Sequence, residues 1–283
     1  MKDLKRRIPT FSLSVAGVVA LLALAYNPWF QYGVVLAVAA LAATAIWEYE
    51  QFAKAKGGQM IFPALLAITI IESVAFYAAA KASYLHSLPF VVFFIGFLIL
   101  FALHFRQKDG AVVDLAVSSF GLLYIAVPMG MVLGVLYFPF LGSFQDGRWW
   151  VSYLLVVTKI TDVGAYFAGN LWGRRKLAPS ISPGKTVEGA IFGLACAVAA
   201  SYGFHALSTS LGASFHLGAA ESIWLGLILG FTGQFGDLSE SLLKRDANKK
   251  DSNALPGLGG VLDSVDSLLF NVPIIYLYLT YIR

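Results

Sequence analysis

Long apolar runs recur along this chain, separated by short polar stretches. Nine can be drawn, at 9–26, 29–53, 61–80, 87–105, 112–140, 150–171, 187–208, 222–243 and 265–282. A helix needs roughly 17–25 apolar residues to cross a hydrocarbon core of about 30 Å, and each run reaches that length. A spanning segment must satisfy its backbone polar groups internally, so each run is predicted to be a helix. The run at 112–140 is longer than one crossing requires and is expected to tilt, or to break near Pro128-Met129-Gly130. The pattern predicts an all-α polytopic membrane protein with about nine transmembrane helices.

Composition agrees. The chain is 58% hydrophobic and only 13% charged, where a soluble domain carries about a quarter charged residues. Its 283 residues therefore say little about domain number. The single cysteine, Cys196, lies in an apolar run and reads as a small buried hydrophobe, and no disulfide can form within the chain.

Charge gives the orientation. If the N-terminus is cytoplasmic, sixteen of the twenty Lys and Arg fall on that side, from Lys2 through Lys54, Arg106, Arg174 and Lys185 to Lys250. Lys81, Arg148 and Arg283 fall outside, and Lys159 lies within a run. This positive-inside bias also supports the count of nine, because one missed crossing would scramble it. The net charge of +4 is explained by basic loops meeting anionic headgroups, and no nucleic-acid partner is needed. The first basic residues and Ala23-Leu24-Ala25 resemble a cleavable secretory signal. The short Asn27-Pro28 turn into the next run favours a retained helical hairpin instead.

Polar groups are spread unevenly. Residues 1–150 have few within their runs, with Glu72 as the main exception, read as a packing or interfacial acid. Residues 159–267 hold nearly all the intramembrane charge. The expected organisation is an N-terminal scaffold bundle at 1–150 and a catalytic region with cytoplasmic loops at 151–283.

Ionisable groups inside a membrane are costly, which makes four clusters candidates for function. Lys159, Asp162 and Tyr166 are spaced to share a helix face. In residues 171–189 three bases precede a turn at Ser182-Pro183, and Gly184-Lys185-Thr186 opens the next run. A helix N-terminus with bare N–H groups and a lysine suits phosphate. This is not a P-loop, because Pro179 stands where that motif needs its first glycine. Asp237, Glu240, Ser241 and Lys244 form one polar stripe on an apolar helix. Pro256 and its glycines precede Asp263 and Asp266, three apart at the start of the last run. Structural readings compete with each: an internal ion pair, an orientation signal, a hydrogen-bonded seam, and two acids placed to suit a helix dipole.

Acids clustered in low dielectric repel unless a cation joins them. Oxygen-only ligands suit Mg²⁺, and a second ion would serve the same chemistry. Bases alongside suit phosphate. The equipment is that of phosphoryl or nucleotidyl transfer at a membrane surface. The four histidines, at 86, 104, 205 and 216, show no metal-ligand spacing. A transporter with an intramembrane acidic site is the alternative from another class. It should show matching broken helices in two repeated halves, whereas the polar groups here crowd into one. A nucleotide-dependent transferase or kinase acting on another lipid would use the same chemistry.

The segments DVGAYFAG (162–169), KLAPSISPGKTVEG (176–189), GQFGDLSESLLKRD (233–246) and KDSNALPGLGGVLDSVDS (250–267) together resemble the phosphatidate cytidylyltransferase family, also called CDP-diglyceride synthetases. The resemblance implies transfer of CMP from CTP to phosphatidic acid, giving CDP-diacylglycerol and pyrophosphate. It also implies Mg²⁺, a homodimer, and work at the cytoplasmic face of the inner membrane. On the matched residues it makes Asp237 and Asp263 the metal carboxylates, with Asp266 and Glu240 as neighbouring acids. Lys185 would neutralise phosphate, with Ser182 and Thr186 beside it. Lys244 and Arg245 would grip the nucleotide or lipid phosphate, and Asp162 would hold the lysine or the metal. The chain departs from the usual motif at Leu258, in place of His, and at Ser264, in place of Arg. It is also one residue shorter between Asp251 and Pro256. All the acids are retained.

Overall fold

The computed structural model describes residues 15–105, 109–140, 145–249 and 260–282. Nine helices lie in these residues, one at each predicted run: α1 (Val15–Leu24), α2 (Gln31–Ala55), α3 (Phe62–Lys81), α4 (Leu88–His104), α5 (Ala111–Leu136), α6 (Gly147–Trp172), α7 (Val187–Leu211), α8 (Ala219–Asp246) and α9 (Val261–Tyr281). Seven of them, α2 to α7 and α9, are long and apolar enough to cross a membrane. Among the described residues α1 is shorter. The 28-residue α8 is long enough, but its charged stripe leaves it less apolar than the other seven.

The long fifth run does not break at Pro128-Met129-Gly130. It continues as one helix with a π-turn at Leu122–Ala126. The cause is Pro128, which lacks an N–H and whose ring would strike the carbonyl of Tyr124, four residues back. Widening the turn just ahead of the proline relieves both problems without ending the helix.

The chain divides into two compact units. The first holds Met1–Tyr137 and Asp246–Ser264. Its core is aliphatic and aromatic, with Ile46, Leu65, Leu100, Ile125 and Leu133 buried. Acids are buried there too. Besides Glu72, the residues Glu48, Glu50 and Asp114 are at most 5% exposed. The expectation that Glu72 is the main acid of this half is thereby corrected. Glu50 pairs with Lys54 one turn on, at 2.9 Å. Asp114 Oδ1 accepts from the Gln59 backbone N–H at 2.6 Å. Glu48 Oε1 and Oε2 accept from the backbone N–H groups of Val261 and Leu262, at 2.9 and 2.7 Å.

The second unit holds Phe138–Arg245 and Val265–Arg283. Its helices approach closely at small residues, the usual device where lipid supplies no hydrophobic drive. A Cβ on Gly193 of α7 would come within 2.8 Å of Ala165 Cβ on α6. At one end Trp150, Tyr153, Phe204 and Phe215 pack ring against ring. Large apolar side chains such as Leu36, Phe90, Phe94 and Phe231 remain exposed, as a lipid-facing surface requires.

Candidate active site

The second unit gathers the charged residues that the sequence singled out there. Lys159 and Asp162, three apart on α6, approach to 3.8 Å. Asp162 also lies within electrostatic reach of Asp237 and Lys185. Asp266 lies within reach of Asp237, Asp162 and Lys159. Three acids from three helices and two lysines therefore share one locality. Tyr166 lies one turn beyond Asp162 on the same continuous helix, as its spacing predicts; it is 68% exposed and packs edge-on against Phe167.

The α8–α9 approach explains how Asp237 and Asp266 come together. A Cβ on Gly236 would stand 2.6 Å from the Asp266 carbonyl oxygen. Only glycine lets the two backbones run this close, and Asp237 is the next residue along. Below this crossing Asn271 is fully buried. Its amide donates to Thr158 Oγ1 at 2.8 Å and its carbonyl accepts from Thr232 Oγ1 at 2.6 Å. Gln234 on α8 donates to the Ala190 carbonyl of α7 at 3.2 Å. These polar ties fix four helices behind the acids. The sequence reading missed Asn271, although an Asn inside an apolar run was itself a signal.

Between α6 and α7 the chain forms a β-hairpin: β1 (Lys176–Ala178) pairs antiparallel with β2 (Ser182–Thr186), with Lys176 opposite Thr186 and Ala178 opposite Ser182. Lys185 therefore lies on a strand, and the expected bare helix N-terminus is absent. Thr186, extended at φ −125° and ψ 153°, caps α7 by accepting from Gly189 N–H at 3.2 Å. A β-branched residue beside a proline-bearing strand favours that backbone. Glu188 closes the base of the hairpin, accepting from the Arg174 and Arg175 N–H groups at 3.0 and 3.2 Å. Arg245 holds the tip, donating from Nε to the Ile181 carbonyl at 3.0 Å.

Lys185 Nζ is buried and sits 2.8 Å from Asp237 Oδ2. The pair is close but has no aligned hydrogen bond, so the contact is ionic rather than directional. An ammonium held this way keeps donors for an anion. Along the stripe of α8, Glu240 is fully buried and pairs with Lys244 at 2.5 Å. Lys244 thus engages an acid in the position where the sequence expected it to grip phosphate.

Asp263 belongs to the first unit. Its Oδ2 accepts from Gly260 N–H at 3.1 Å, the back-reaching half of a capping box at the start of α9. Asp266 follows one turn later on the same helix. Residues 250–259, with the Pro-Gly run and the Leu258 departure, lie outside the described residues.

Among the described residues no three His, Cys, Asp or Glu side chains stand in a metal-ligand arrangement. The donors in this locality are all carboxylates, which fits Mg²⁺ in kind. That ion commonly takes one or two protein carboxylates and completes its shell with water and substrate phosphate.

A lysine whose ammonium is buried beside clustered acids, under a hairpin and among apolar helices, is an arrangement whose charges suit an anionic group. The profile of the cytidylyltransferase family matches residues 5–282, and the chain belongs to that family. Its relatives narrow the class. The chain is 38% identical to the phosphatidate cytidylyltransferase of Chlamydia pneumoniae, over 98% of this chain and 92% of that protein. It is 32% identical to the phosphatidate cytidylyltransferase of Chlamydia trachomatis serovar D, over 97% and 92%. With the Bacillus subtilis enzyme of the same name it shares 44% identity over 48% of this chain and 49% of that protein. Membership in this family sets aside the transporter alternative.

Proposed function

We propose that the protein transfers the cytidylyl group of CTP to phosphatidic acid, releasing pyrophosphate and leaving CDP-diacylglycerol in the bilayer. The single observation that carries this reading is the buried Lys185 ammonium against Asp237, with Asp162 within reach of both and Asp266 within reach of Asp237, in a chain of the cytidylyltransferase family. A phosphate oxygen of the lipid attacks the α-phosphorus of CTP. The new P–O bond forms as the bond to the β-phosphate bridging oxygen breaks, and pyrophosphate leaves with that electron pair. Little covalent chemistry falls to the protein, so its work is positioning and charge stabilisation.

Lys185 exchanges its contact with Asp237 for the triphosphate, neutralising charge in a site where water screens poorly. Arg245, by holding the hairpin tip, keeps the Lys185 strand over the acids. Thr186 and Ser182 set the ends and register of that strand. In this reading Asp237 and Asp263 are the carboxylates for Mg²⁺, as the resemblance implies, with a second ion as an extension of the same chemistry. When bound, the metal draws charge from the phosphate oxygens. The site faces the cytoplasm, where the basic loops concentrate, in a cytoplasmic (inner) membrane, and the protein works as a homodimer.

The test is product identification in detergent. Protein, phosphatidic acid, CTP labelled at the α-phosphate, and Mg²⁺ are mixed, with diacylglycerol and a polyprenyl phosphate as alternative acceptors. Label should enter CDP-diacylglycerol only with phosphatidic acid, and should cease with excess EDTA. Label entering another acceptor instead would reassign the substrate, and label in none would defeat the reading.

A further inference from the structure

We propose that Glu48 is a positioning residue for the Asp263 turn of α9, an inference that rests on Asp263 acting in the site. The start of a helix leaves its first N–H groups without intrahelical partners. At α9 the capping position is Gly260, which has no side chain to supply an acceptor. Two acids do its work. Asp263 reaches back to Gly260 N–H at 3.1 Å. Glu48, more than two hundred residues away in sequence, takes the next two N–H groups, of Val261 and Leu262, one with each carboxylate oxygen. Glu48 is 0% exposed, and Val261 and Leu262 are 5% and 0% exposed, so water does not replace these bonds. The positive end of the helix dipole supplies the counter-charge that a carboxylate buried there needs.

This division of labour matters because Asp263 has two employments. As a cap it accepts from Gly260 N–H through Oδ2, and as a substrate-side carboxylate it shares its charge with the site. Glu48 keeps two of the N–H groups satisfied whichever partner Asp263 takes, so the first turn of α9 holds its register. Two further contacts place α2 in the same role. Lys56 Nζ lies 2.8 Å from Asp246, and Lys249 stands over the Phe52 ring at 5.6 Å. Glu48 and Phe52 are one turn apart on α2, and Lys56 follows just past its end, so the three form one stripe. The stripe touches the chain on both sides of residues 250–259. The Lys56 pair is exposed at both partners and contributes little. Glu48 is the buried member and carries the inference.

The experiment compares wild type, Glu48→Gln and Glu48→Ala in detergent by steady-state kinetics and by hydrogen exchange at the amides of 261 and 262. Glutamine keeps one acceptor of the two and fills the same volume. A misplacement of about 1 Å in a reacting group costs up to about a hundredfold. On that scale Glu48→Gln should lower kcat about tenfold and Glu48→Ala further, with KM for CTP and phosphatidic acid within about twofold of wild type. Exchange should quicken at 261 and 262 and stay unchanged in α6 to α8. An active wild type with wild-type kcat in Glu48→Gln would overturn this inference alone. So would quickened exchange throughout the chain, which would make Glu48 a general determinant of folding. A wild type without turnover would defeat the proposed function, and this inference with it.

Discussion

Glu48 and Asp237 are both acids set in apolar helices, yet they are held in opposite ways. In the first unit Glu48 and Asp114 spend their oxygens on backbone N–H groups. Those donors are fixed in the fold and cannot move away. In the second unit Asp237 faces the ammonium of Lys185, and Asp162 faces that of Lys159. An ammonium on a flexible four-carbon stem can swing to a new partner. Glu48 thereby holds structure, whereas Asp237 holds a place that a cation or an anionic substrate can take over. Burial alone does not separate the two regions, since Glu48 and Glu240 are equally inaccessible.

The contrast can be broken by substitution. Outside Asp237, the largest effect is expected at Lys185. Lys185→Met should lower kcat/KM for CTP by about a hundredfold, the scale of losing one preorganised charge contact, with the protein still monodisperse by size-exclusion chromatography. A wild-type kcat/KM in that variant would remove the lysine from the site. Next in size is Asn271→Leu, which deletes the ties to Thr158 and Thr232. It should cost about 1–2 kcal/mol of stability, seen as earlier loss of the folded state in a thermal or SDS titration. The smallest effect belongs to Glu72, whose Oε2 has no hydrogen-bond partner among the described residues. An amide of the same shape replaces this carboxyl at little cost, since one of its oxygens has no hydrogen bond to lose. Glu72→Gln should keep activity within about twofold and leave stability unchanged or raised. A large loss of activity there would place chemistry in the first unit as well.

Much of this architecture was legible because lipid permits few solutions. A backbone in hydrocarbon must be helical, so nine apolar runs yield nine helices in the described residues. The stripe of α8 was legible because spacing alone puts Asp237, Glu240, Ser241 and Lys244 on one face. Other features escaped. The hairpin of 176–186 depends on Glu188 and Arg245, which bond to backbone groups and leave no periodic trace. Glu48 lay in plain view within a predicted span, and the rule that intramembrane acids are functional candidates would have flagged it. Its partners could not be found that way, because a carboxylate bonded to two backbone N–H groups has no matching side chain to search for.

The claim that the lysine-held acids are the reacting site is tested most directly at Asp237. Asp237→Asn and Glu72→Gln would be purified beside wild type, and label transfer from CTP into lipid followed with saturating phosphatidic acid and Mg²⁺. Loss of one electrostatic contact at a reaction centre costs about two to three orders of magnitude, so Asp237→Asn should fall that far while Glu72→Gln stays near wild type. Asp237→Asn turning over at the wild-type rate would contradict the account and move the chemistry away from the α8 stripe.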